Sequence, residues 1–134
     1  MSEQARARLL IVHPETDIQR AFEQRLRGRG YDVATAANGE EALGWLMQRA
    51  FELVLIEPAL PGMNGFELAQ CAQRCQPRAK VVLFIGVNDT ASRPATLPTT
   101  LTNVDYLDKT TGAEEVSYLV EALLASQRVS QMGV

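Results

Sequence analysis

His13 is the single histidine of the chain, and it stands in the segment His13-Pro14-Glu15 directly after the apolar run Leu9-Leu10-Ile11-Val12. A second apolar run, Leu53-Val54-Leu55-Ile56, ends in Glu57-Pro58. An imidazole and carboxylates at the ends of two such runs are groups that can exchange protons, pair with a cation or hold a metal. Imidazole with two carboxylates suits zinc. Pro14 stiffens the loop, however, and nothing in the spacing sets His13, Glu15 and Glu57 at coordination distance. A hydrogen-bonded or partly exposed His13, or one paired with Glu57, is the simpler reading. Only two of the 13 basic residues are lysines, Lys80 and Lys109, so each has its own interest. Cys71 and Cys75 lie four apart, a helical spacing, and read as small residues beside a sheet rather than as a redox or metal pair. Gly28-Arg29-Gly30 precedes a strand instead of opening a helix, so it is not a phosphate cradle.

These groups must be positioned by a single domain. With 134 residues, 46% hydrophobic and 22% charged, the chain has the apolar material for one ordinary core. A formal net charge of -3 gives no reason to expect nucleic acid or a membrane surface as partner. Arg20, Arg25, Arg27 and Arg29 are interleaved with Glu23 and read as a solvated helix face. No run approaches the roughly 18 residues of a membrane span, and the polar start lacks the apolar region of a secretory signal. Two thiols without a disulfide framework fit a cytoplasmic protein.

Apolar runs of four to six residues alternate with segments of helical period, the pattern of strands joined by crossover helices in a parallel sheet. Strands are predicted at 9–12, 31–36, 53–56, 81–85 and 104–107. Helices are predicted within 15–29, 40–49, 65–76 and 114–127. In the first helix Ile18, Phe22 and Leu26 form the buried stripe, with Arg25 at its edge. In the second, Leu43, Leu46 and Met47 point inward, with Trp45 at the boundary. The last buries Val116, Leu119, Val120, Leu123 and Leu124. Between 88 and 103 a fourth helix is expected, but Pro94 and Pro98 interrupt it, leaving a short or irregular one. The expected fold is a doubly wound α/β sheet of order 2-1-3-4-5 with helices on both faces, flavodoxin-like. Its ligand crevice then lies at the carboxyl ends of strands one and three, at His13, Pro14, Glu57 and Pro58. The domain spans 8–127, with a disordered arm at 1–7 and a tail or linker at 128–134.

The sequence resembles the chemotaxis-type receiver domains of response regulators in two-component signalling. The likeness rests on RLLIV, RGYDVATAANGEEAL, FELVLIEPALPGMNGFEL and DYLDK, of which LPGMNGFEL after a buried strand is the most specific. The family implies an acidic pair after the first strand that holds Mg²⁺ and an aspartate ending the third strand that accepts a phosphoryl group. It also implies a hydroxyl residue after the fourth strand and a lysine after the fifth. Matched residue by residue, this chain has His13-Pro14, then Glu15, at the acidic pair and Glu57 at the phosphoacceptor. Ile85 stands at the hydroxyl position, and Lys109 is the one retained member, followed by Thr110 where proline is usual. Tyr106 matches the aromatic that moves in the family when the hydroxyl shifts, a coupling that Ile85 deprives of its driving contact.

These departures imply a degenerate receiver, or pseudo-receiver. Mg²⁺ binding is expected to be weak or lost, since Pro14 offers no ligand and histidine is a poor one for this ion. Glu57 is expected to pair with Lys109 and with His13. Such a domain is a signalling interaction module rather than an enzyme. The resemblance implies protein partners: a sensor kinase, an output domain, or a second copy, through the face of the fourth helix, fifth strand and last helix. The competing expectation is a phosphorylatable receiver of unusual chemistry in a phosphorelay.

Overall fold

The computed structural model describes residues 6–85, 104–108 and 110–131, the side chains of 127–131 excepted. The expected fourth helix within 88–103 and Lys109 lie outside the described residues.

Nine elements follow in order: β1 (Arg8–Val12), α1 (Thr16–Gly28), β2 (Asp32–Ala36), α2 (Gly39–Gln48), β3 (Leu53–Ile56), α3 (Gly65–Cys75), β4 (Lys80–Ile85), β5 (Val104–Asp108) and α4 (Ala113–Gln131). The strands pair in parallel in the order β2-β1-β3-β4-β5, as the alternation of apolar runs and helical periods predicts.

The apolar runs are continuous because both faces of the sheet are covered. Successive residues point to opposite sides. Leu10, Val12, Val54, Ile56 and Leu83 pack with Leu46 of α2 and Phe66, Leu68, Ala69 and Ala72 of α3. Leu9, Ile11, Leu55, Val82 and Phe84 pack with Phe22 and Leu26 of α1 and Val116, Val120 and Leu124 of α4. Helix α1 stops where Gly30 takes a positive φ of 94°, and the chain turns into the edge strand β2.

Two assignments of side chains to the interior are corrected. Met47 is 81% exposed. Ala42 and Leu46, four apart, form the buried line of α2, and Met47, one position on, is rotated away from the sheet. Similarly, Leu68, Ala69 and Ala72 of α3 face the core, while Cys71 is half-buried and Cys75 exposed. Arg6 and Ala7, placed in the arm by the sequence, are tied to the sheet. The Arg6 amide donates to Gly30 O at 3.0 Å, Asp32 N donates to Ala7 O at 2.9 Å, and Ala7 is buried. Helix α4 continues past 127 to Gln131.

The arginines of α1 divide among carboxylates: Arg27 with Glu23 at 3.0 Å, Arg25 with Glu114 at 3.4 Å, and the neighbouring Arg29 with Glu121 at 2.8 Å. Glu121 also meets Arg6 at 3.3 Å. The hydrogen bond from Arg6 is the main reason its carboxyl is held below the ordinary carboxylate range. At the other end of the sheet Lys80 Nζ sits 2.6 Å from Asp105 Oδ2, joining β4 to β5. The Lys80 side chain is only 14% exposed, so its removal strands a partly buried carboxylate. Lys80→Ala is expected to cost about 1–2 kcal/mol in urea denaturation, part of the buried-pair penalty being relieved by solvent at Asp105.

Candidate functional site

The strand order reverses between β1 and β3, and the backbone ladder carries one residue beyond each strand at that point. His13 N donates to Ala36 O at 3.0 Å and Glu57 N donates to Val12 O at 2.9 Å. His13 and Glu57 are thereby held by the backbone ladder of the sheet itself. Both are buried, at 8% and 5% exposure.

The turn after Glu57 is built by the LPGMNGFEL segment. Asn64 and Glu67 form a capping box at the start of α3, with Phe66 N donating to Asn64 Oδ1 and Asn64 N to Glu67 Oε1. Gly65 N donates to Pro58 O at 2.9 Å. At Gly65 the helix backbone lies against the strand end so closely that a Cβ would fall 2.4 Å from Pro58 Cα and 2.9 Å from Glu57 O. Only glycine allows that approach.

Glu57 Oε2 accepts the Ala59 amide at 2.8 Å, and Oε1 lies 3.8 Å from His13 Nε2. That separation is an electrostatic contact, too long for a hydrogen bond. The Glu15 amide donates to His13 Nδ1 at 3.1 Å. Nδ1 is therefore the ring's acceptor, and a neutral imidazole carries its proton on Nε2, the nitrogen that faces Glu57. Gln19 holds this loop in place: its Nε2 donates to His13 O at 2.7 Å and to Ala36 O at 3.0 Å, strapping the ends of β1 and β2 together.

A recess of about 230 Å³ opens here, lined by His13, Glu15, Ile18, Phe22, Glu57 and Phe84. Phe22 and Phe84 form its apolar wall, their rings nearly parallel at 10° with centroids 5.4 Å apart. Pro14 is half-buried between His13 and the exposed Glu15. Ile85 ends β4 in register with Asp108, and strand alternation sends it to the face opposite Phe84. Tyr106, in register with Leu83, is half-buried against the α2–α3 side of the core. Asp108 closes β5 with a tight turn. Its carboxyl is held below the ordinary range first by the Thr110 amide and then by the Thr110 hydroxyl, both at 2.8 Å. Lys109 lies between them, outside the described residues.

Sequence reasoning brought out His13, Glu15 and Glu57 but not Phe22 and Phe84 as walls, nor Gln19 as a strap. Phe22 was legible as core. Gln19 carries no sequence signal, since an amide one turn into an amphipathic helix looks like any solvated position.

The response regulator receiver domain family matches residues 9–121. The chain belongs to that family. This receiver is 31% identical over 117 residues to the probable transcriptional regulator ycf27 of Cyanophora paradoxa, covering 87% of this chain and 48% of that protein. It is 33% identical over 81 residues to the transcriptional regulatory protein AfsQ1 of Streptomyces coelicolor, covering 60% of this chain and 36% of that one. The receiver thus spans about half or less of the length of these two relatives. Among solved structures it is similar to a CheY-like receiver domain protein from Methanospirillum hungatei, with a TM-score of 0.77, 25% identity, and coverage of 92% of this chain and 97% of that one. Receiver domains as a class are signalling modules that meet kinases and output domains, and this chain is a receiver domain of a two-component response regulator. No helix among the described residues is long and apolar enough to cross a membrane.

Receivers imply a bound Mg²⁺, and the donor set around this recess does not fit it. Mg²⁺ requires near-octahedral oxygen coordination and is bound through carboxylates. Here Pro14 supplies no side-chain oxygen, His13 offers nitrogen, Glu57 Oε2 is engaged by the Ala59 amide, and Glu15, the other carboxylate of the recess, is exposed. No group of three or more His, Cys, Asp or Glu side chains among the described residues is arranged to hold a metal ion.

Proposed function

We propose that this receiver signals as a protein-interaction module that takes no phosphoryl group. The observation that carries this reading is the carboxylate of Glu57, buried at the acceptor position, bound to the Ala59 amide and facing the Nε2 side of His13. A phosphoryl transfer needs a cation to neutralise charge on the moving group and a carboxylate oxygen presented in line to the donor. In this pocket an imidazole and a proline replace the oxygen ligands, and a longer side chain has one oxygen already committed. Lys109, which the resemblance places beside the acceptor, would pair with the same carboxylate. Glu57 then imitates in part the charge of a phosphorylated acceptor and keeps the domain in one signalling state.

The partners of such a module are proteins: a kinase, an output domain or a second copy. The side of the domain that carries β5 and α4 is the surface we assign to them.

Thermal denaturation in rising Mg²⁺ tests the reading. An ion bound to the folded state at a hundredfold excess over its Kd adds about 2.7 kcal/mol of stability, a Tm increase of several degrees. The expected result is a Tm that does not respond to Mg²⁺ at constant ionic strength. A Tm that rises with the logarithm of the Mg²⁺ concentration, and does not in Glu57→Gln, overturns the proposal.

A further inference from the structure

The open edge of the sheet at β2 carries a second recess, of about 280 Å³, that shares no lining residue with the one at Glu57. It lies between α1, β2 and the end of α2, and its side chains include Arg8, Glu23, Arg27, Asp32, Trp45 and Arg49.

The backbone groups of Asp32 and Ala36 turn toward β1 and its flanking residues, since Asp32 N donates to Ala7 O and Ala36 O accepts from His13 N. By alternation, the groups of Val33 and Thr35 face outward. Both outward carbonyls are already occupied: Arg27 Nη2 donates to Val33 O at 2.8 Å and Trp45 Nε1 donates to Thr35 O at 3.0 Å. An incoming strand needs those carbonyls, so the edge is closed to strand addition. What its backbone still presents are donors, the amides of Val33 and Thr35, with the guanidinium groups around them.

Charge points the same way. Arg8 is bridged to Asp32 and Arg27 to Glu23, each at 3.0 Å. Arg49, at the end of α2, is exposed, and among the described residues its guanidinium meets only the Trp45 ring, 6.0 Å from the centroid. Three arginines against two carboxylates leave the recess positive on a chain whose net charge is -3.

We propose that this recess binds a small carboxylate- or phosphate-bearing anion, with Arg49 as its principal contact and the Val33 and Thr35 amides as its floor. A positive concavity of this size, its outward backbone carbonyls already taken, suits a small anion better than a neutral peptide strand.

Trp45 is the only tryptophan and therefore a built-in reporter. The whole chain is titrated with citrate and, separately, with pyrophosphate at matched ionic strength, following tryptophan fluorescence. A saturable change is expected. Arg49→Gln weakens it about tenfold, the loss of one charge-assisted hydrogen bond. Arg74→Gln, an equal change of charge at an exposed position on α3, leaves it unaltered. Saturation with citrate alone assigns carboxylate, and with pyrophosphate alone assigns phosphate. Absence of saturation with both through the millimolar range, or equal weakening in the two variants, overturns the proposal. Amide shifts in the unsubstituted chain give a second readout: they must move at Val33 and Thr35, and shifts confined to other residues overturn it as well.

Discussion

Gly65→Ala is expected to cost about 2–4 kcal/mol of stability and to lower Tm by on the order of 10 °C. The added Cβ falls 2.4 Å from Pro58 Cα, 2.9 Å from Glu57 O and 3.0 Å from Pro58 O. All three are backbone atoms at the end of the central strand, so no side chain can swing aside. Either α3 moves away from the sheet, loosening Phe66, Leu68, Ala69 and Ala72 from the core, or the Glu57–Pro58 turn is displaced. Both routes disturb Glu57. The same substitution at Gly44 has the opposite sign. Gly44 lies inside α2, a Cβ there meets nothing within 4 Å, and the exchange removes the helix penalty of glycine. Gly44→Ala is expected to stabilise by about 0.5–1 kcal/mol. Urea denaturation of the two variants in parallel separates a packing constraint from helix propensity.

Phe22→Ala is expected to cost about 3–5 kcal/mol, the range for deleting a buried aromatic ring. Phe22 is 6% exposed and Phe84 3%, and both belong to the cluster that α1 and α4 form against one face of the sheet. The near-parallel contact of the two rings adds about 0.5–1.5 kcal/mol beyond the area they bury. A double-mutant cycle with Phe22→Leu and Phe84→Leu measures that coupling, and a value near zero removes the ring contact from the account. Phe22 also walls the recess beside Glu57, so its truncation exposes the carboxylate and imidazole to water. Met47→Ala, at 81% exposure, is expected to fall within about 0.5 kcal/mol of the unsubstituted chain.

The strands were legible because a sheet covered on both faces demands continuous apolar runs, and the run Leu53–Ile56 is found where its composition places it. Helix faces were less so. In α2 the pattern Leu43, Leu46, Met47 fits a stripe, but Ala42, too small to weigh in a hydrophobicity pattern, marks the true line of contact with the sheet. Cys71 and Cys75 against Ala69 and Ala72 repeat the case. For the site, chain order and topology were enough to bring His13 and Glu57 together from 44 positions apart (57 minus 13), because the end of a strand at the reversal of order is a fixed place. Which of Phe84 and Ile85 reaches the recess depends on strand register, and a uniform run such as Val81-Val82-Leu83-Phe84-Ile85 holds no clue to which face each residue takes.

Glu57 is proposed above as a paired carboxylate that accepts no phosphoryl group. The most direct test incubates the whole chain with phosphoramidate and Mg²⁺ and measures the intact mass. The account predicts the unmodified mass alone at all times. Addition of the mass of one phosphoryl group, abolished in Glu57→Gln, contradicts it.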